Sequence, residues 1–251
     1  MEKDSGNSMQ DNAIVGARNT AVLERFPSAL AQLRAPFIVV LCILLGASTV
    51  WAEDQVDSLE ALKQRATQGE ARAQRQLGLR YARGEGIPLD YAEALKWFRL
   101  AAAQGDAEAQ FSLGVLYAKG EGVAEDGAEA LKWYHLAAAQ GNAEAELNLG
   151  LLYATGEGVS QNVTEALKWF RLAAGHGNAG AQFNLGVLYS QGQGVPQDTV
   201  QAYKWFTLAA AAFPVQANRD SALKMRDVVA AGMTAVQIAR AQKLVREWKK
   251  E

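Results

Sequence analysis

The chain has 251 residues, 49% of them apolar and 21% charged, with a formal net charge of −2. This is an ordinary globular balance, and it excludes electrostatic capture of nucleic acid or anionic lipid, which needs a concentrated basic surface. Few prolines and abundant alanine lean the chain towards helix.

In chain order, residues 1–52 read as an N-terminal extension with a signal peptide or signal anchor. The apolar run PFIVVLCILLGASTVWA, residues 36–52, follows Arg18, Arg25 and Arg34 and precedes Glu53, Asp54 and Asp57. Its apolar core is shorter than the roughly 20 residues a spanning helix needs. It fits the h-region of a secretory signal ending near Ala52, which makes the chain periplasmic or secreted. Retained uncleaved, the same run would anchor the chain in an inner membrane. Both readings put the residues after Glu53 outside the cytoplasm, because the positive charges lie on the N-terminal side. Cys42, the one cysteine, falls inside this run. The cleaved chain would therefore have no thiol for a disulfide or for catalysis.

Residues 53–70 are predicted to form an N-terminal capping helix. Residues 71–214 then divide into 71–106, 107–142, 143–178 and 179–214, which align without a gap at a period of 36. Leu77, Gly78, Tyr81, Gly84, Gly86 and Trp97 recur unchanged in every segment. EALKWF at 93–98 returns as EALKWY, EALKWF and QAYKWF.

Each segment is predicted to be two helices. In the first, Ala73, Leu77 and Tyr81 form an apolar stripe. Gly78 lets a neighbouring helix approach closely, and Gly84 ends the helix in a left-handed cap. The second helix opens on Asp90, Asp126, Asn162 or Asp198, with Glu93, Glu129, Glu165 or Gln201 three residues on, the pattern of a capping box. Its buried stripe is Ala94, Trp97, Phe98 and Ala101. Gly105, Gly141 and Gly177 close these helices, and Asp106, Asn142 and Asn178 stand ready to cap the next unit. A lone 36-residue helix pair cannot bury such large side chains, but a stack of them can.

SLEALKQRATQGE at 58–70 matches the second helix in register and closes the N-terminal end, with Ala61 standing where Trp97 would. Residues 215–251 are expected to be C-terminal capping helices, the last opened by Thr234 and Gln237.

The column pattern, as in Ala109, Leu113, Gly114, Tyr117, Gly120, Gly122, Ala130, Lys132, Trp133, Ala137 and Ala138, resembles the Sel-one-like repeat (SLR) family, relatives of the tetratricopeptide repeat. The resemblance implies an all-α fold: an α/α solenoid of about four 36-residue helix-turn-helix repeats with N- and C-terminal capping helices. It implies a right-handed superhelix acting as an adaptor or scaffold that binds proteins or peptides. A cysteine-rich branch is linked to β-lactam binding or hydrolysis, so a cell-wall-associated enzyme or accessory factor is the alternative, but this chain lacks that branch's cysteine pairs.

In tetratricopeptide-like solenoids the first helices line a concave groove. The four units differ most at their positions 2, 6, 9 and 13, which share one helix face. They read Arg72-Gln76-Leu79-Arg83, Glu108-Ser112-Val115-Lys119, Glu144-Asn148-Leu151-Thr155 and Gly180-Asn184-Val187-Gln191. From this stripe Gln76, Arg83, Ser112, Val115, Lys119, Asn148, Leu151, Asn184, Val187 and Gln191 are the expected partner-binding residues. Asn148 and Asn184 suit reading of a peptide backbone, and Arg83 and Lys119 suit acidic groups.

No catalytic constellation is expected. The Gly-Glu-Gly loops follow helices and carry a carboxylate, so they cap helices and do not cradle phosphate. His135 and His176 have no ligand-spaced partners and are expected on the surface. The reading is a monomeric, non-enzymatic scaffold without cofactor or metal. Its partner is a protein or peptide, with no nucleic acid, and with a membrane only if residues 36–52 are retained.

Overall fold

The computed structural model describes residues 58–248, and the segment read as a signal lies outside them. Among the described residues there are eleven helices and no strands. They are α1 (Leu59–Thr67), α2 (Ala71–Arg83), α3 (Tyr91–Ala103), α4 (Ala107–Lys119), α5 (Gly127–Ala138) and α6 (Ala143–Thr155). The series continues with α7 (Val163–Gly175), α8 (Ala179–Gln191), α9 (Thr199–Ala212), α10 (Gln216–Ala230) and α11 (Ala235–Glu247). Helices α2 to α9 form four pairs. Each second helix packs on its own first helix and on the first helix of the next unit, which gives an α-solenoid.

The repeated columns have direct physical counterparts. Leu77, Leu113, Leu149 and Leu185 are fully buried, as are Phe98, Phe170 and Phe206. Each such side chain stabilises the fold by about 1.5–3 kcal/mol relative to exposure. Gly84 ends α2 at φ 66° and its N–H bonds Arg80 O, so this turn needs a residue free of the left-handed penalty. Asp106, Asn142 and Asn178 cap α4, α6 and α8 with side-chain oxygens, as expected.

Two details differ from the sequence reading. Glu93, Glu129 and Glu165 do not close a capping box. Their backbone N–H groups bond the cap residue, while their side chains pair with Lys96, Lys132 and Lys168 one turn on. The reciprocal box forms only at Thr234 and Gln237 among the described helices. The tryptophan column is only half-buried at Trp97, Trp133 and Trp169. Trp205 is buried because α11 folds back onto α9 and sets Trp248 against it edge-on, ring centres 4.9 Å apart.

The histidines are structural as well. Gln104 donates to Gln74 Oε1 at 2.8 Å, and Gln140 to Gln110 Oε1 at 2.8 Å. Unit three replaces this amide pair with the buried Glu146 and the exposed His176, which stays on the surface as expected; their Oε2 and Nδ1 lie 2.8 Å apart. In unit four the second partner is Ala212, and Gln182 Oε1 is buried with no hydrogen bond. On the units' other seam, Arg99 donates to the Tyr117 hydroxyl at 2.6 Å and Arg171 to that of Tyr189 at 2.8 Å. His135 occupies the arginine position between them and packs edge-on to Trp169, 5.3 Å between centres.

Candidate binding site on the first helices

The variable stripe is carried by α2, α4, α6 and α8, and stacking divides it into three parts. Position 9 forms the seam between units. Half-buried Leu79 packs on the cluster containing Phe98 and Leu116, and Val115 on that containing Tyr134 and Leu152. Leu151 joins Leu185 and Leu188, and Val187 joins Phe206, Met225 and Val229. By units three and four, Leu151 is 9% exposed and Val187 is 7% exposed. The apolar centre of the stripe is therefore largely spent on stacking.

Positions 2 and 6 make local bonds. Asn142 donates to Glu108 Oε1 at 2.9 Å and Asn178 to Glu144 Oε1 at 2.8 Å, which ties each carboxylate to the next unit's cap. Burial raises the Glu144 carboxyl pKa, and the Asn178 bond opposes that shift. The Ser112 hydroxyl donates to Glu108 O in its own helix. The Asn148 side chain interacts with the hydroxyl of Tyr134, which stands where other units have Phe; burial pushes this phenol's pKa upward and Asn148 opposes the shift. Asn184 is buried and Gln76 is half-buried.

Position 13 is the part exposed in all four units, whereas position 2 is exposed at Arg72, Glu108 and Glu144 only. Arg83, Lys119, Thr155 and Gln191 are all exposed at the C-terminal ends of their helices. Arg83 lies 3.5 Å from Glu85 and Lys119 3.9 Å from Glu121, contacts that leave both cations largely solvated. The edge thus runs from two cations through a hydroxyl to an amide, with a different residue in every unit. It offers charge and hydrogen bonding. It brings together no nucleophile, general base and orienting group of the kind catalysis needs. Among the described residues no cluster of three His, Cys, Asp or Glu side chains could hold a metal ion. No described helix is long and apolar enough to cross a membrane.

Sequence reasoning missed the continuation of the stack into α10. A one-residue offset after Pro214 breaks the gapless alignment there and hides it.

Helix pairs stacked at a fixed period, with unvarying packing columns and one varying edge, define an α-solenoid repeat protein. The sequence matches the Sel1 repeat over residues 71–106, 107–142, 143–178 and 179–212, and the chain belongs to this family. A Sel1 repeat protein from Oxalobacter formigenes is similar in structure at 33% identity and TM-score 0.63, over 75% of this chain and 77% of that one. A protective antigen of uropathogenic Escherichia coli with an SLR fold is similar at 45% identity and TM-score 0.60 over 61% of this chain. The match spans only 33% of the antigen's own length. No match was found among curated proteins. Sel1 repeat proteins generally mediate protein–protein interaction, and the scaffold is typically non-catalytic.

Proposed function

We propose that this chain is an extracytoplasmic scaffold that grips a protein or peptide along its first helices and assembles or regulates an envelope or secreted complex. The observation that carries the reading is the position-13 edge. Arg83, Lys119, Thr155 and Gln191 are exposed in every unit and differ in every unit, while the columns that hold the stack do not vary. Side chains under no packing constraint, held at regular spacing on rigid helices, suit recognition of an extended partner. Half-exposed Gln76, Ser112 and Asn148 lie beside the edge. Buried Leu151, Asn184 and Val187 shape its floor.

Site-specific photo-crosslinking in the host tests this. A photoreactive residue at Lys119 or Gln191 should give one defined protein adduct, and one at Leu136 on the second helix α5 should not. Equal adducts from both faces, or none from the first helices, would reject the assignment. Intact mass of the recovered protein tests the location. A soluble species starting near Glu53 supports a free extracytoplasmic scaffold, and a membrane-bound species retaining residues 36–52 supports an anchored one.

A further inference from the structure

One stripe of each second helix faces the unit that follows. In α3 it is Tyr91, Leu95 and Arg99, and in α7 it is Val163, Leu167 and Arg171, spaced i, i+4, i+8. Tyr91 packs on the cluster that joins units one and two, and Val163 on the cluster that joins units three and four. Leu95 and Leu167 are buried. Arg99 and Arg171 donate to the tyrosine hydroxyl of the next unit.

Unit two departs from all three contacts at once. Its stripe on α5 is Gly127, Leu131 and His135. Gly127 has no side chain to pack, and Gly158 of the next loop meets only its backbone, whereas Gly194 meets the side chain of Val163. Leu131, one turn further on, is left half-buried. His135 stops short of the Tyr153 hydroxyl. Their rings lie edge-on, 6.4 Å between centres, in place of the hydrogen bond that Arg99 and Arg171 make. Among the three joints between repeats, only this one loses the whole stripe.

The adjoining stripe of the same joint is intact. Ala130, Tyr134, Ala137 and Ala138 of α5 pack on Ala145, Leu149 and Leu152 of α6. Trp169 closes on this cluster as Trp133 and Trp205 close on theirs. A joint that is firm along one stripe and bare along the next has both a pivot and a direction in which to open.

We propose that the solenoid hinges between units two and three. It opens along Gly127, Leu131 and His135 and pivots on the alanine-lined contact that the joint keeps, so that the two halves of the stack move as two bodies. In a stacked array each unit is held only by its neighbours, so one weakened joint sets where the whole array bends. The hinge divides the position-13 edge. Arg83 and Lys119 lie on one body, and Thr155 and Gln191 on the other. The span of the edge therefore changes at its middle without any helix unfolding. The hinge is a property of the stack and does not rest on the proposed grip, so a failed crosslinking experiment would leave it standing.

Pulsed dipolar electron spin resonance tests this, because a frozen sample keeps the spread of conformations whatever their rate of exchange. Nitroxide-labelled cysteines are placed in the full chain carrying Cys42→Ser, in pairs at Leu89 and Leu136, Glu125 and Leu172, and Gln161 and Ala211. All six positions are exposed, and each pair spans one joint. The distances between Glu125 and Leu172 should be spread about twofold more widely than those of the other pairs. His135→Arg should supply the missing bond to Tyr153 and narrow that spread. Adding Gly127→Val should bring it to the width of the neighbouring joints. Far-UV circular dichroism should be unchanged in each variant. Equal widths at all three joints overturn the proposal, as does a wide middle distribution that His135→Arg leaves unaltered.

Discussion

The ring of Phe98 lies so close to the backbone of Gly78 that a methyl group on that glycine would sit 2.8 Å from two ring carbons. The same relation joins Gly114 to Tyr134, Gly150 to Phe170 and Gly186 to Phe206. An aromatic ring pressed into the gap left by a missing side chain fixes the spacing of every helix pair. It accounts for two of the repeated sequence columns at once.

Gly114→Ala should therefore destabilise the protein by about 1–3 kcal/mol, the range for overpacking a filled core. A Cβ there would approach the Tyr134 ring to 2.5 Å. Gly175, the last residue of α7, makes the internal control, since its added Cβ meets nothing within 4 Å and its φ is helical. Gly175→Ala should be neutral or stabilising by up to about 1 kcal/mol through helix propensity. Urea unfolding of the two variants beside the parent checks both. Equal loss of stability would show that glycine is needed at these positions for some reason other than the ring contact.

The repeat made most of this architecture legible, because a gapless period exposes every packing column four times over. What it hid were contacts between units, single departures from the period and pairings that share a spacing with another pattern. Asn148 reads as a free amide until Tyr134, a single departure from Phe, is seen to supply a hydroxyl beside it. Leu151 and Val187 look like groove apolar residues, but position 9 meets the following first helix, a contact that depends on how units are rotated onto one another. Helix α10 was obscured by one added residue at Val215, and the pairing of Glu93 with Lys96 by its coincidence with the capping-box spacing. Each needed the third dimension because its partner lies in another unit or because two local patterns share one spacing.

Gln182 marks where the amide series runs out. Its Nε2 donates weakly to Ala174 O at 3.4 Å, and its buried Oε1 has no donor because Ala212 stands where Gln104 and Gln140 stand in earlier units. Ala212→Gln should supply the missing N–H and raise stability by about 0.5–1.5 kcal/mol, the net worth of one hydrogen bond. The urea midpoint should rise for Ala212→Gln and not for Ala212→Leu. A rise of equal size in both would assign the gain to added apolar contact.

Trp248 closes the C-terminal end. Its ring and that of Trp205 each lie 4.2 Å from the Lys204 amine, which is enclosed between them and pairs with no carboxylate among the described residues. Trp248→Ala should cost about 2–3 kcal/mol, below the full cost of a core tryptophan because the ring is half-buried, and should uncover Trp205. The loss should be local, since in a stacked array each element depends on its neighbours. Hydrogen exchange should quicken in α11 and the end of α9 and stay unchanged in α2 to α5. Uniform acceleration throughout the chain would mean that the stack unfolds as a single unit.

His135 makes the joint between units two and three pH-dependent. Burial against Trp169 and Tyr153 lowers its pKa from the ordinary value of 6.5, with the nearby Glu165 carboxylate opposing the shift. The folded state therefore holds the extra proton less readily than the unfolded chain. Its contribution is fully present above pH 6.5 and is lost as pH falls from there through the lower folded pKa. His135→Arg should remove this component. It should also gain a bond to the Tyr153 hydroxyl, as Arg99 makes with Tyr117 and Arg171 with Tyr189. Unfolding free energies of parent and variant measured from pH 7.5 down to pH 5 should diverge steadily towards acid, with the variant the more stable. Parallel curves would show that His135 takes up its proton equally in the folded and unfolded chain, so that its packing against Trp169 has no bearing on acid stability.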